Sequence, residues 1–253
     1  SMSNTATVLA FDFGASSGRA IRAVYDGQNL TYEEIHRFEN VPIEKDGHLC
    51  WDVETLLKEI HTAIQKAGTF DSLGFDTWGV DFGLLDADGH LLANPVHYRD
   101  ARTNGKPEQA AARMPAEELY ANTGNQIMAI NTLFQLLALR EQDPELLKKA
   151  EQILFMPDLF AALLGAEPVC ERSIASTSQM LDPRTGQWSR EVLAAYGLNA
   201  NHFAPLVASG TVTGTLTTGA KIIAVAGHDT QCASAAMPCA EEDAEHTAFL
   251  SCG

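Results

Sequence analysis

The first strand-like runs constrain the fold most. Residues 7–11 (TVLAF) form a short apolar run readable as a buried strand. Gly14-Ala15-Ser16-Ser17-Gly18 is a turn. Residues 19–25 and 30–38 follow as further strands, with Asp26-Gly27 between them as a hairpin signal. Consecutive strands joined by tight turns must be antiparallel neighbours, so the sheet cannot be wholly parallel.

The period then changes. Leu56, Leu57, Ile60, Ala63 and Ile64 recur at helical spacing within residues 51–66, and Asp52 stands where an N-cap belongs. Residues 72–75 predict a strand that delivers Asp76-Thr77-Trp78-Gly79 to its end. Residues 80–85 and 90–92 look like a hairpin around Ala87-Asp88-Gly89. From about Asn104 to Tyr196 the signal is mainly helical, with helices expected over 108–113, 131–140, 144–150, 158–164 and 190–196. The turn-rich stretch 181–188 interrupts them. Residues 221–226 are a second buried-strand run, a helix is expected over 231–237, and 246–250 start another strand. The order β-β-β-α-β, helical insertion, β-α predicts a mixed α/β domain.

Composition narrows the function classes. The 253 residues carry 17 Lys plus Arg against 33 Asp plus Glu, a net charge of -16. That surface repels nucleic-acid phosphates and anionic lipid, so neither partner is expected. A small anionic ligand stays admissible, because local backbone N–H groups outweigh a distant net charge. The five Cys are odd in number and form no C-x-x-C, which points to a reduced, cytoplasmic chain without a zinc ribbon. Ser1 before Met2 reads as a cloning remnant.

Three constellations could carry chemistry. In residues 12–19 (DFGASSGR) a strand delivers Asp12 to a small-residue turn whose N–H groups and hydroxyls could hold phosphate. Asp12 could hold a hydrated Mg²⁺. The plain alternative is a hairpin turn with no ligand. Asp76-Thr77-Trp78-Gly79-Val80-Asp81 sets an indole beside hydrogen-bonding groups, which suits a sugar. Its alternative is a core Trp with surface acids. Gly227-His228-Asp229-Thr230 puts a carboxylate between an apolar strand and a helix, as a general base or a helix cap. The polar stretch 97–105 is either substrate-facing or internally satisfied, with Asp100 and Arg102 read as an internal pair. Met156-Pro157-Asp158 reads as a strand end, a helix N1 position and its capping neighbourhood, and is taken as structural. There is no G-x-x-x-x-G-K-[ST], so any ATP chemistry needs a different cradle.

Taken in order, these motifs resemble the N-terminal half of an FGGY-family carbohydrate kinase, in the branch acting on L-rhamnulose. The matching stretches are DFGASSGR, residues 34–38 (EIHRF), Trp51-Asp52-Val53, residues 76–82 (DTWGVDF), 98–105 (YRDARTNG), 131–136 (NTLFQL), Met156-Pro157-Asp158 and His228-Asp229-Thr230. The resemblance implies a ribonuclease-H-like domain of the actin, chaperone and sugar-kinase superfamily, with a mixed sheet and a helical insertion. It implies ATP and Mg²⁺ as cofactors, with Ala15, Ser16, Ser17, Gly18 and Arg19 on the ATP phosphates. It implies Gly79, His228, Asp229 and Thr230 on the ketose, Asp229 as general base, Trp78 and Asp81 as further sugar contacts, and Asp12 meeting Mg²⁺ through water. Residues 3–245 would be the N-terminal kinase domain and 246–253 the first strand of a second, ATP-binding domain, so that the chain is a fragment of a longer kinase and inactive alone. Kinases for L-fuculose, another ketose or a polyol, and a non-catalytic sugar-binding module, are the rival readings.

Overall fold

The computed structural model describes residues 5–226. In chain order the elements are β1 Ala6–Phe13, β2 Ser17–Tyr25, β3 Leu30–Glu39, β4 Ile43–Lys45, β5 His48–Cys50 and α1 Val53–Ala67. Next come β6 Ser72–Asp76, β7 Phe82–Leu85, α2 Lys106–Ala110, α3 Ala116–Thr123, α4 Thr132–Gln142 and α5 Pro144–Lys149. Then follow β8 Gln152–Phe155, α6 Met156–Leu163, β9 Cys170–Glu171, α7 Arg172–Ala175, β10 Leu181–Asp182 and β11 Gln187–Trp188. The last are α8 Arg190–Tyr196, β12 Leu206–Val207, β13 Val212–Thr215 and β14 Lys221–Ile223.

The six-stranded main sheet has the order β13-β14-β6-β1-β2-β3. β1, β2 and β3 are the expected antiparallel meander, while β1 pairs with β6 and β6 with β14 in parallel. This is the expected mixed sheet with a helical insertion between β6 and β14. β1 is buried along nearly its whole length. β3 is mostly exposed on both faces, as an edge strand can be. α1 presents Val53, Leu56, Ile60 and Ala63 to the core, and Asp52 caps it by accepting from the Thr55 N–H at 3.2 Å. α1 packs against β2 and β3, and α6 against β6. Aromatic rings join the sheet to α6: Phe13 stacks on Phe160 with centroids 4.8 Å apart, and Phe11 on Phe75 at 5.0 Å.

The insertion is mainly helical as expected, with short strands added. Residues 152–155 form β8, which pairs antiparallel with β7 from Phe82↔Phe155 to Leu85↔Gln152. A four-residue apolar run carries no period that separates strand from helix, and the open edge of β7 decides it. The expected 80–85 and 90–92 hairpin survives only as an isolated Leu85↔Leu91 bridge, and Val80 lies outside the strand. α3, β13 and the β4–β5 hairpin were not anticipated, and a short β10–β11 ladder occupies the turn-rich stretch. The elements expected over 231–237 and 246–250 lie outside the described residues.

Candidate active site

The end of β1 and the residues after it form the first half of the site. The Gly14 N–H donates to the Ser17 carbonyl at 2.8 Å. Asn40, buried just after β3, donates its backbone N–H to the Ser16 carbonyl at 3.0 Å and its side-chain amide to the Gly14 carbonyl at 2.9 Å. Three carbonyls are thereby tied into the protein. The N–H groups of Ala15 and Ser16 meet no acceptor among the described residues, and residues 14–17 are exposed. Free N–H groups on an exposed turn make a cradle for an anion. Gly18 has no room for a side chain: a Cβ there would come within 2.3 Å of the Phe38 ring. Arg19 stands opposite Asp12 in the β1–β2 register, with its Nε 3.2 Å from Asp12 Oδ2 and Nη1 3.9 Å from Glu34.

The second half leaves the end of β6. Asp76 is buried and stands opposite Asp12 in the parallel register, so both turns leave the same edge of the sheet. That is the carboxyl edge, where open α/β sheets bind ligands. Trp78 stacks on Trp51 with centroids 3.8 Å apart, and Trp51 stacks in turn on His97 at 4.0 Å. The Trp78 indole N–H is buried without a hydrogen-bond partner among the described residues. Val80 has φ +64, and the Asp81 N–H donates to the Gly79 carbonyl at 2.8 Å. This is a γ-turn of the rare, strained hand, centred on a β-branched residue.

Long-range contacts hold that turn. The Val80 N–H donates to Thr177 Oγ1 at 3.0 Å, and Thr132 Oγ1 donates to the Val80 carbonyl at 2.6 Å. A Cβ on Gly79 would lie 2.9 Å from the Thr177 side chain, so glycine is needed for this close approach. Asp81 is fully buried and accepts from the Trp51 indole at 2.6 Å, the Gln135 amide at 2.8 Å and the Tyr98 N–H at 3.1 Å. Burial pushes its carboxyl up to about 7, against those hydrogen bonds and nearby Arg102. The reading of Asp76 and Asp81 as surface acids therefore fails, because both are buried.

The 97–105 stretch is internally satisfied only in part. His97 is lowered to about 4 by burial and by nearby Arg99, and its Nδ1 accepts from the Arg99 N–H. Asp100 accepts from the Leu49 N–H, His48 Nδ1 and the Arg102 N–H. Burial raises its carboxyl, but those bonds outweigh it and hold it below the usual range. The expected Arg102–Asp100 side-chain pair does not form, since the guanidinium donates instead to Gln135 Oε1 at 2.9 Å. Asp158 is buried, accepts from the Glu171 N–H, and is pushed by burial up to about 8.

The structure thus brings together Asp12, the 14–17 turn, Arg19, Trp78, Gly79 and Asp81 near one sheet edge. β14 runs parallel to β6 and leads the chain to that same edge. His228, Asp229 and Thr230 lie outside the described residues. Asn40, Val80, Thr132, Gln135 and Thr177 were not singled out individually in the sequence. Of these, Val80 lies in the DTWGVDF stretch and Thr132 and Gln135 in NTLFQL, and nothing local marks Asn40 or Thr177.

Comparison with known proteins places this arrangement. The model of the FGGY family of carbohydrate kinases, N-terminal domain, matches residues 7–235. The chain belongs to that family. A rhamnulokinase of Bacteroides thetaiotaomicron is 40% identical over 258 residues, covering 97% of this chain and 53% of that protein. A rhamnulokinase of Halalkalibacterium halodurans is 38% identical over 257 residues, covering 97% of this chain and 54% of that protein. The chain therefore spans about half the length of the curated relatives it matches. Among solved structures, a carbohydrate kinase from Novosphingobium aromaticivorans superposes with TM-score 0.78 at 19% identity, covering 94% of this chain and 53% of that one. A gluconate kinase from Lactobacillus acidophilus gives TM-score 0.77 at 17% identity, covering 88% and 48%. At such identities the likeness shows the fold alone, a mixed α/β sheet with helical insertions.

Proposed function

We propose that the chain is the sugar-binding half of an ATP-dependent ketose kinase whose substrate is L-rhamnulose. The observation that carries this reading is the juxtaposition of the N–H cradle at 14–17 with the clamped 78–81 turn at one sheet edge. The substrate assignment rests on the two rhamnulokinases that match over 97% of the chain.

In this reading Ala15, Ser16 and Ser17 bind ATP phosphate oxygens through N–H groups and hydroxyls, and Arg19 adds positive charge beside them. Gly18 is assigned to the phosphates with them, and its missing Cβ keeps the strand close to Phe38. Asp12 suits a hydrated Mg²⁺, because Oδ1 makes no bond to a described residue while Oδ2 is held by Arg19. A bound Mg²⁺ would offset negative charge on the phosphate oxygens. Trp78 offers the ketose an apolar face and an indole N–H without a partner, and Gly79 lets the sugar approach the main chain. Asp81 supports the turn from beneath. Asp229, with His228 and Thr230, is assigned to the sugar, and its carboxylate takes the proton of the O1 hydroxyl as that oxygen attacks the γ-phosphorus and ADP leaves. A second domain, beginning near residues 246–253, would complete the nucleotide site, and a cytoplasmic setting is proposed with it.

The test is calorimetric binding of L-rhamnulose, L-fuculose, L-ribulose and glycerol to the chain, with ketose phosphorylation assayed on a protein carrying both domains. L-rhamnulose should bind tightest, and Asp229→Asn in the two-domain protein should lower kcat by at least about a hundredfold. Tighter binding of another member of the panel would overturn the substrate. Retained turnover in Asp229→Asn would overturn the role of Asp229.

A further inference from the structure

Arg102 is the anomaly of the structure. Its side chain is largely buried, which lowers its affinity for the proton, although Asp81 and Asp100 act in the opposite direction. The only acceptor its guanidinium reaches among the described residues is the neutral amide oxygen of Gln135. Its Nε–H is buried with no partner among the described residues. No carboxylate of a described residue lies within ion-pair distance: Asp100 takes the Arg102 backbone N–H and is otherwise occupied by His48 and Leu49. The Phe82 ring, 5.9 Å away, adds only a weak cation–π contact. Asp81 and Asp100 thus act on this partly buried cation only from beyond ion-pair distance, which leaves its guanidinium short of hydrogen-bond acceptors.

Arg102 lines a cavity of about 320 Å³ between the β4–β5 hairpin, β7 and α4. Lys45 and His48 line it beside Arg102, and Phe82, Leu92 and Leu146 supply apolar wall. None of Ala15, Ser16, Ser17, Gly18, Arg19, Trp78, Gly79 or Asp81 lines it, so it is separate from the candidate active site. Two acids also reach the lining. Asp46 is exposed in the hairpin turn, and Asp143 is engaged in capping α5 through the Leu146 N–H.

We propose that this cavity binds a small organic carboxylate with a short apolar chain, the carboxylate on the Arg102 guanidinium and the chain against Phe82, Leu92 and Leu146. A planar guanidinium matches a carboxylate in two parallel hydrogen bonds. A single negative charge also meets less repulsion from Asp46, Asp143 and the acidic surface than a phosphate dianion would. The volume falls at the lower end of the range for small-ligand sites. The inference is independent of the kinase reading.

Calorimetric titration of the chain at neutral pH with hexanoate, hexanol and inorganic phosphate tests it. Hexanoate should bind saturably with one site, and hexanol and phosphate at least about tenfold more weakly, since each lacks one half of the recognition. Arg102→Gln should weaken hexanoate binding by a similar factor. Because that variant touches a buried network and could unfold, Ala93→Trp is the second probe: residue 93 is exposed and lines the cavity, so an indole there should block it with the fold intact. Lys45→Glu, at another exposed lining position, should weaken binding by charge alone. No saturable hexanoate binding, unchanged binding in a folded Ala93→Trp, or hexanol or phosphate binding as tightly as hexanoate would each overturn the assignment.

Discussion

The 14–17 turn and the 78–81 turn leave the same edge of one sheet, and they are held in different ways. The first is exposed, built of small residues, and fixed mainly by main-chain bonds and one buried Asn40. The second is strained at Val80 and clamped by Thr132, Thr177, Gln135 and Trp51, side chains drawn from across the domain. An anion cradle needs only accessible N–H groups, so local sequence suffices for it. A turn that must hold an indole and a glycine against a particular sugar has to be rigid, and rigidity here comes from tertiary hydrogen bonds. Strain of this kind persists only where the surroundings over-determine it.

The largest contrast should come from Gln135→Leu. It removes the donor to Asp81 Oδ1 and the sole described acceptor of the Arg102 guanidinium, leaving two buried polar groups short of partners. Urea unfolding at pH 8 should show a loss of about 2–4 kcal/mol. Ser16→Ala in the exposed turn should change stability by less than about 0.5 kcal/mol. Similar losses in the two variants would remove the distinction between the turns.

The pH dependence should differ next. The Asp81 carboxyl is raised to about 7 in the folded chain, above its unfolded value, so the folded state holds a proton that the unfolded state has released. Its contribution is therefore present at low pH and lost as pH rises through about 7. Between roughly pH 6.5 and 8 the loss from Asp81 alone is on the order of 1 kcal/mol. Asp158, raised to about 8, adds a loss of the same sign. His97, lowered to about 4, acts in the opposite direction and mainly below this window. Asp81→Asn should thus lose less stability than the parent over the window, and an identical slope would show that Asp81 does not titrate there. The 14–17 turn has no buried acid of this kind, so Ser16→Ala should leave the slope unchanged.

Asn40→Ala is the matching probe of the first turn. It deletes the amide bond to the Gly14 carbonyl while the backbone bond to Ser16 remains. The stability loss should be about 1 kcal/mol. Amide hydrogen exchange at Gly14, whose N–H is bonded to Ser17, should quicken. Unchanged exchange there would mean that the turn holds itself and Asn40 is dispensable.

These differences also explain what could be read from sequence. The β1–β2–β3 meander was legible because its turns are short and local, and the first turn was legible because Asp12, Gly14 and the serines sit within one octapeptide. Asn40 was not, since it reaches Gly14 across 26 residues. Val80 was read as a strand residue because β-branched side chains favour strands. Contacts from Thr132, 52 residues away, and Thr177, 97 residues away, override that propensity. The end of β8 is legible in Met156-Pro157-Asp158, which reads as a strand end and a helix start, whereas its pairing with β7 has no local signal. Arg102 was assigned to Asp100 by proximity in sequence, whereas the fold turns its guanidinium toward Gln135.

Val80→Gly separates strain from function most cleanly. Relief of the positive φ should stabilise the turn by about 1 kcal/mol. Glycine's greater freedom in the unfolded chain should cost about 0.5–1 kcal/mol, and the lost side chain somewhat more, because Val80 is buried. The losses exceed the relief, so the net change should be a destabilisation of about 1–3 kcal/mol. Sugar affinity should also fall, because the released turn no longer presents Trp78 and Gly79 in one geometry and binding must order it anew. A folded Val80→Gly that binds sugar as tightly as the parent would show that the clamps from Thr132 and Thr177 define the turn by themselves. The strain at residue 80 would then be a by-product of packing, and the difference between the two turns would lie in their burial alone.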